Sequence, residues 1–330
     1  LNDEENAVLY LDHYERRKQL MDEKDALRSA SEDGEAGIRT GIYAFDRMVG
    51  GLMPKEFGLI AGVTGIGKTA ALIEFGVNAY ESGHNVMIGS GEMSVEELAF
   101  RIDSRLTRIN GMKFRTAELD DKDRKRWDST ILQYRATKDN VLFLTSYPRR
   151  FTVEDFERDM LRIEEETGKR MGMVCLDYIN ILSPVSKGRS DAKDQSEAVW
   201  DFKGFCAEHN LVGWTAGQVI DDAYEKELYD PADIKYARAI SEAAPVIVAL
   251  IQTDRDRIEG RMKLQVMKMR NAKVPSRPIK LSPNLSIMRL NEVIMKSGVS
   301  SLVNLTGNTI NVTRATKRPR NRSARPAGTP

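Results

Sequence analysis

Gly62-Val63-Thr64-Gly65-Ile66-Gly67-Lys68-Thr69 is the stretch that decides the fold. It satisfies G-x-x-x-x-G-K-[ST] at every defined position, and its flanks are those the motif needs. Residues 56–61 are apolar enough for a buried strand, and residues 70–79 have helix-forming content. Gly62, Gly65 and Gly67 are expected to open backbone angles closed to other residues, turning successive amide N–H groups onto phosphate oxygens. The helix that follows adds its dipole at the same point. The predicted nucleotide site is therefore Gly62, Val63, Thr64, Gly65, Ile66, Gly67, Lys68, Thr69 and Ala70. Lys68 is expected to reach the β- and γ-phosphates and the Thr69 hydroxyl to ligate Mg²⁺, making ATP and Mg²⁺ the cofactors.

Working outward, 330 residues could hold one large α/β domain or two modest ones. The longest apolar run, 243–251, is too short to cross a bilayer, and residues 1–30 are charged throughout, unlike a secretory signal. Cys175 and Cys206 read as buried thiols of a reducing compartment, and His13, His84 and His209 show no metal spacing. Starting at Leu1 rather than Met suits a fragment or a processed chain. Of 50 basic and 49 acidic residues, six basic and no acidic ones fall after residue 296. The first 296 residues thus carry 44 basic against 49 acidic. Such a body offers no uniformly basic surface, so nucleic-acid contact must come from local loops or the tail.

Residues 1–34 read as a charged helical arm with a thin apolar stripe, either solvated or docked on a neighbour. Beyond the P-loop, buried strands are expected at 85–90, 141–144, 171–177, 212–216 and 246–251, with helices at 95–108, 153–166 and 195–209 between them. Residues 110–140 read as helical, with Trp127, Ile131, Leu132 and Tyr134 inward, and 264–270 with 279–281 as a closing hairpin. Strands alternating with helices imply a mostly parallel sheet. The motor body spans 35–295, and 296–330 is expected to be a basic, disordered tail.

Asp177, ending an apolar strand, is placed to be the second Mg²⁺ anchor. Glu92, at another strand end, could polarise water or merely cap a helix that Ser94 can also cap. Gln218, after a further strand, could sense the γ-phosphate. Lys268 and Arg270 alternate with apolar residues and so share a face; a solvent-facing edge and a contact to a neighbour's γ-phosphate are both open.

The motifs together resemble DnaB-type replicative helicases. Thr40-Gly41, Phe45-Asp46, Gly50-Gly51-Leu52, the P-loop, Glu92-Met93-Ser94, Leu98 with Arg101, Asp177-Tyr178, Arg189-Ser190, Lys203, Gln218, Asp233-Ile234 and Lys268-x-Arg270-Asn271 fall in that family's order. The resemblance covers residues 37–290. It implies a RecA-like P-loop NTPase core preceded by a helical linker arm, acting as an ATP-hydrolysing DNA helicase in a homo-hexamer with ATP at each subunit junction. It makes Lys68 and Thr69 the phosphate and metal holders, Glu92 the catalytic base, Asp177 the metal ligand and Gln218 the link to DNA. Lys268 and Arg270 would act on the neighbour's nucleotide. Lys235, Tyr236 and Arg238, with Arg189 and Lys193 of the loop 187–193, would contact single-stranded DNA.

Primase, a helicase loader and single-strand-binding protein are the implied partners, and the cytosol of a bacterium or phage-infected host the implied location. The family's globular N-terminal domain, which meets primase, has no counterpart in residues 1–330. The chain departs from the pattern at Asp221-Asp222 after Gln218, at Arg238 for a usual glycine, at residues 242–245 and at Ala272. Those departures suit a phage or mobile-element member. A RecA or RadA-like recombinase and an ATP-switched loader are the alternatives.

Overall fold

The computed structural model describes residues 37–147, 150–185, 191–224, 226–235, 237–270, 273–296, 299–303 and 309–311, with isolated residues between 15 and 22. An eleven-stranded sheet forms its centre. The strands are β1 (Phe57–Gly62), β2 (Val86–Ser90), β3 (Leu142–Ser146), β4 (Met173–Asp177), β5 (Val212–Gln218), β6 (Val246–Ile251), β7 (Met262–Met269), β8 (Ile279–Asn284), β9 (Arg289–Lys296), β10 (Val299–Val303) and β11 (Thr309–Asn311). In space they run β11-β10-β9-β8-β7-β6-β1-β5-β4-β2-β3. From β6 to β3 every pairing is parallel, and from β6 to β11 every pairing is antiparallel. The α/β core with a mostly parallel centre is as the sequence implied.

The strands beside β1 explain their own composition. Parallel strands covered on both faces carry unbroken apolar runs, and β1 and β6 are buried at every residue. Gly58 leaves room for the neighbouring indole, since a Cβ there would lie 2.4 Å from Trp214. Trp214 in turn meets Phe75 and Phe45 edge-on, with centroids 4.9 and 6.1 Å apart.

One face of the sheet is covered by α1 (Tyr43–Val49), α2 (Lys68–Glu81) and α3 (Val95–Thr107). The other is covered by α6 (Val153–Thr167), α7 (Asp191–Glu208) and α8 (Ala237–Ala243). Between β2 and β3 lie α4 (Gly111–Arg115) and α5 (Asp121–Thr137), and α9 (Asp254–Ile258) joins β6 to β7.

The structure alters several expectations. Leu132, read as inward, is 62% exposed, because α5 lies on the rim and offers only Trp127, Ile131 and Tyr134 as half-buried contacts. The tail begins with two strands, since β10 and β11 extend the open antiparallel edge of β9 with β-branched residues. Residues 312–330 and most of 1–34 lie outside the described residues. Cys175 and Cys206 are buried free thiols, and burial pushes both up.

A buried ion cluster that the sequence did not disclose ties α3 to α2. Arg105, 1% exposed, pairs its Nε with Glu74 and donates from Nη2 to Asn78 Oδ1 (2.6 Å) and Glu81 Oε2 (3.3 Å). Asn78 Nδ2 passes the link to the Thr40 carbonyl (2.7 Å). Removing one partner of a buried pair strands the other charge, whereas exposed pairs add little. Arg105→Ala is therefore expected to cost about 3–5 kcal/mol. Arg101→Ala, which breaks the exposed bridge to Glu97, should cost under about 1 kcal/mol. Urea unfolding of the two variants measures the difference, and equal losses would contradict the burial argument.

Candidate nucleotide and interface site

Parallel pairing brings the carboxyl ends of the central strands to one edge, where open α/β sheets place their ligands. Gly62 is opposite Gln218, and Ser90 is opposite Asp177. Residues 63–67 of the P-loop then turn into α2, so its N-terminus opens on the same edge. Gly65 and Gly67 adopt φ of 78° and 105°, the left-handed region the motif reserves for glycine. Gly62 does not share that reason. It is the last residue of β1, and its glycine is needed because a Cβ would meet Ile66 Cγ2 at 2.8 Å and the Leu250 carbonyl at 3.2 Å.

Around this loop the predicted residues assemble. Thr69 Oγ1 donates to Asp177 Oδ2 at 2.8 Å. Lys68 Nζ lies across the loop, donating to the Gly62 and Val63 carbonyls at 3.1 and 3.0 Å. Burial pulls the Lys68 ammonium below its ordinary range, while Asp177 and Glu92 oppose that and Lys235 adds to it. Asp177 is pushed up to about 6 by burial first; the Thr69 hydroxyl, Lys68 and Arg101 pull it down, and Glu92 pushes it further up. Lys68, Asp177 and Glu92 therefore share one electrostatic site.

Glu92 is exposed in the turn after β2. Its role as a helix cap is excluded by geometry, because Ser94 caps α3 by accepting from the Glu97 N–H at 3.2 Å. Ser90, which the sequence reading passed over, shapes that turn: its Oγ accepts from the Glu92 and Met93 amides at 3.2 and 3.1 Å. A serine ending an apolar strand just before Gly91 was the available signal.

Gln218 is joined on both sides. Its Nε2 donates to the Tyr178 hydroxyl at 3.3 Å, and its Oε1 accepts from Lys235 Nζ at 3.1 Å. The Lys235 amide also donates to the Gln218 carbonyl at 2.9 Å. Lys235 thus turns its ammonium toward the nucleotide side, where the sequence placed it on a nucleic-acid strand.

The rest of the segment expected to touch DNA divides further. Asp233 is buried and bonded to Lys226 Nζ at 2.6 Å, and Ile234 is buried, so both are structural. Arg238 is not in a loop. It lies exposed on α8, donating to Glu242 Oε1 at 3.0 Å. Tyr236 and Arg189 lie outside the described residues. Lys193, expected in a loop, falls in the first turn of α7, which begins at Asp191.

Lys268 and Arg270 sit apart from the P-loop of their own chain, beside α7 and α8. Plain alternation along β7 would place them with the buried Leu264 and Val266. A bulge prevents this: Ile247 pairs with Lys268 and Val248 with Val266, so Met267 is the extra residue. Beyond it Met269 takes the buried face. Lys268 Nζ donates to the Ala244 carbonyl at 2.8 Å and to the Ser241 carbonyl.

The comparisons with known proteins agree with this geometry. The model of the DnaB-like helicase C terminal domain matches residues 37–290. The chain belongs to that family. The replicative DNA helicase DnaB of Geobacillus stearothermophilus is 24% identical over 229 residues, 68% of this chain and 49% of that protein. The replicative DNA helicase DnaC of Bacillus subtilis is 23% identical over 222 residues, 66% of this chain and 48% of that protein. This DnaB-like chain therefore spans about half the length of those curated relatives. Among solved structures, an isolated ATPase domain superposes with a TM-score of 0.73 at 20% identity, covering 84% of this chain and 97% of that one. A DnaB-like replicative helicase studied with primase gives 0.71 at 18% identity, covering 86% and 67%. These likenesses bear out the RecA-like ATPase fold.

The donors fit the groups that the family's nucleotide use implies. Hard oxygen ligands, a hydroxyl and a carboxylate, suit Mg²⁺, which takes one or two protein oxygens and completes its shell with water and phosphate. Among the described residues no three His, Cys, Asp or Glu gather into a metal cage, as that sparse mode of binding requires. Proton and cation would compete for Asp177. Its raised value leaves it ionised above about pH 6 and protonated below. The half-saturating Mg²⁺ concentration is thus expected to rise several-fold from about pH 7.5 to about pH 5.5. A Mg²⁺ titration at the two pH values checks this, and no change would remove Asp177 from the metal site.

Proposed function

We propose that the chain is the motor of a replicative DNA helicase. It hydrolyses MgATP at junctions between copies of itself arranged as a homo-hexameric ring, and moves along single-stranded DNA to separate the duplex. Membership of the DnaB-like family supports this, and one observation carries it: the Tyr178–Gln218–Lys235 chain joins the phosphate-facing strand ends to a basic segment.

In this reading the P-loop amides and Lys68 hold the triphosphate, while Thr69 and Asp177 hold Mg²⁺, which neutralises charge on the β- and γ-phosphates. Glu92 takes the proton of the attacking water as a bond forms to the γ-phosphorus and the bond to ADP breaks. Lys235 is shared between Gln218 and a DNA phosphate, so binding of the strand alters the position of Gln218. Arg238 gives a second backbone contact. From the neighbouring subunit, Lys268 and Arg270 meet charge that develops on the transferred group.

Primase, a loader and single-strand-binding protein are the proposed partners, and the cytosol the proposed place of work. Among the described residues no helix is long and apolar enough to cross a membrane. A recombinase of the RecA or RadA type is the less favoured reading, and a filament rather than a ring in particle images would support it.

Lys68→Ala is expected to abolish DNA-stimulated ATP hydrolysis and fork unwinding together. Arg270→Ala should retain ATP binding and assembly yet lose about 10³-fold or more in turnover, the scale of an arginine supplied in trans. Steady-state ATPase assays beside size measurements decide this, and normal turnover in Arg270→Ala would reject the shared site.

A further inference from the structure

The segment that follows Gln218 is bonded at both ends. At its start, Lys235 is tied to Gln218 by backbone and side chain. At its close, the last turn of α8 presents the Ser241 and Ala244 carbonyls to Lys268 Nζ. Between these ends Arg238 lies on the exposed face of the same helix, one turn from its partner Glu242. The seven residues of α8 thus separate a DNA-facing guanidinium from the carbonyls that seat a lysine offered to another subunit.

The seat is unusual in its charge. Lys268 lies near Arg270 and Lys203, whose charges add to the burial that lowers its proton affinity. Lys203 rests 4.3 Å from the centroid of the Trp200 ring. Among the described residues none of these three cations is ion-paired with a carboxylate. Only carbonyl dipoles and a ring face hold them, so the cluster needs an anion from outside and can exchange its present partners for one.

We propose that α8 is the positioning element for Lys268. Strand binding that draws Arg238 away from Glu242 moves the helix, and its C-terminal carbonyls then set whether Lys268 reaches the adjoining subunit's nucleotide. This rests on the shared-site reading above. It adds a second route by which DNA acts on hydrolysis: Lys235 and Gln218 act on the subunit's own nucleotide, and α8 with Lys268 act on the next one.

The test uses the full chain, measuring ATP turnover with and without oligo-deoxythymidylate, and oligonucleotide binding by anisotropy. Ser241→Gly loosens the last turn of α8 and is expected to reduce the ratio of stimulated to unstimulated turnover about fivefold or more, the low end of coupling between sites. Its oligonucleotide affinity should stay within about twofold, since coupling rather than contact is lost. Ser241→Ala keeps the carbonyl and the helix, so it should keep the parent ratio. Lys268→Met should lose the stimulation, and adding Ser241→Gly to it should change nothing further.

Glu242→Gln, on the exposed face, tolerates the change in any case. It should raise stimulated turnover at low DNA in the parent chain but not in Lys268→Met. A parent ratio in folded Ser241→Gly, a loss in Ser241→Ala, or an equal effect of Glu242→Gln in both backgrounds would overturn the role of α8. Parent-like stimulation in Lys268→Met would instead overturn the shared site, and the linkage with it.

Discussion

The parallel register of the central strands is the constraint on which everything else depends. Once β1 is clamped between β5 and β6, Gly62 must lie beside Gln218, and the β2–β4 pairing must put Ser90 beside Asp177. Those residues are far apart in the chain, yet each ends a strand, and parallel strands end on one edge. The P-loop, the carboxylate that completes a metal site and the polar sensor therefore converge without any special loop design. Slippage of one residue in any pair would turn its terminal side chain to the opposite face.

What the edge gathers is costly to keep there. Burial raises Asp177 and lowers Lys68, and each is held by the other's charge. Such opposing shifts mark sites where charge is placed for chemistry rather than for stability. The structure meets the cost elsewhere, through a fully covered sheet and the buried Arg105 cluster that fixes α3 behind the turn bearing Glu92.

The polar connections beyond that edge have a different character. Lys235 and Lys268 each hold their place by exchangeable hydrogen bonds to neutral oxygens, not by carboxylate pairs. Neutral acceptors hold a cation less firmly than an anion does, so a phosphate can take either lysine. The acidic Asp221-Asp222 departure from the family pattern follows Gln218 closely. It leaves the Tyr178–Gln218–Lys235 chain intact.

The local elements were legible in the sequence. The P-loop is a contiguous motif whose geometry is set by Gly65 and Gly67 and by the strand and helix that flank it. The strands of the parallel core announce themselves as apolar runs, and Asp177 and Gln218 end two of them. The tertiary structure alone decided the rest. That Gly62 is required for space rather than for its backbone angle depends on Ile66 and Leu250. That Lys235 faces Gln218, that Arg238 rides a helix and that Leu132 is exposed depend on how distant elements pack. The face taken by Lys268 shows why most clearly: alternation in the sequence points it inward, and a one-residue bulge against β6 turns it out. Periodicity along a chain records each residue's own neighbours, whereas a register shift is a property of two strands and is written in neither alone.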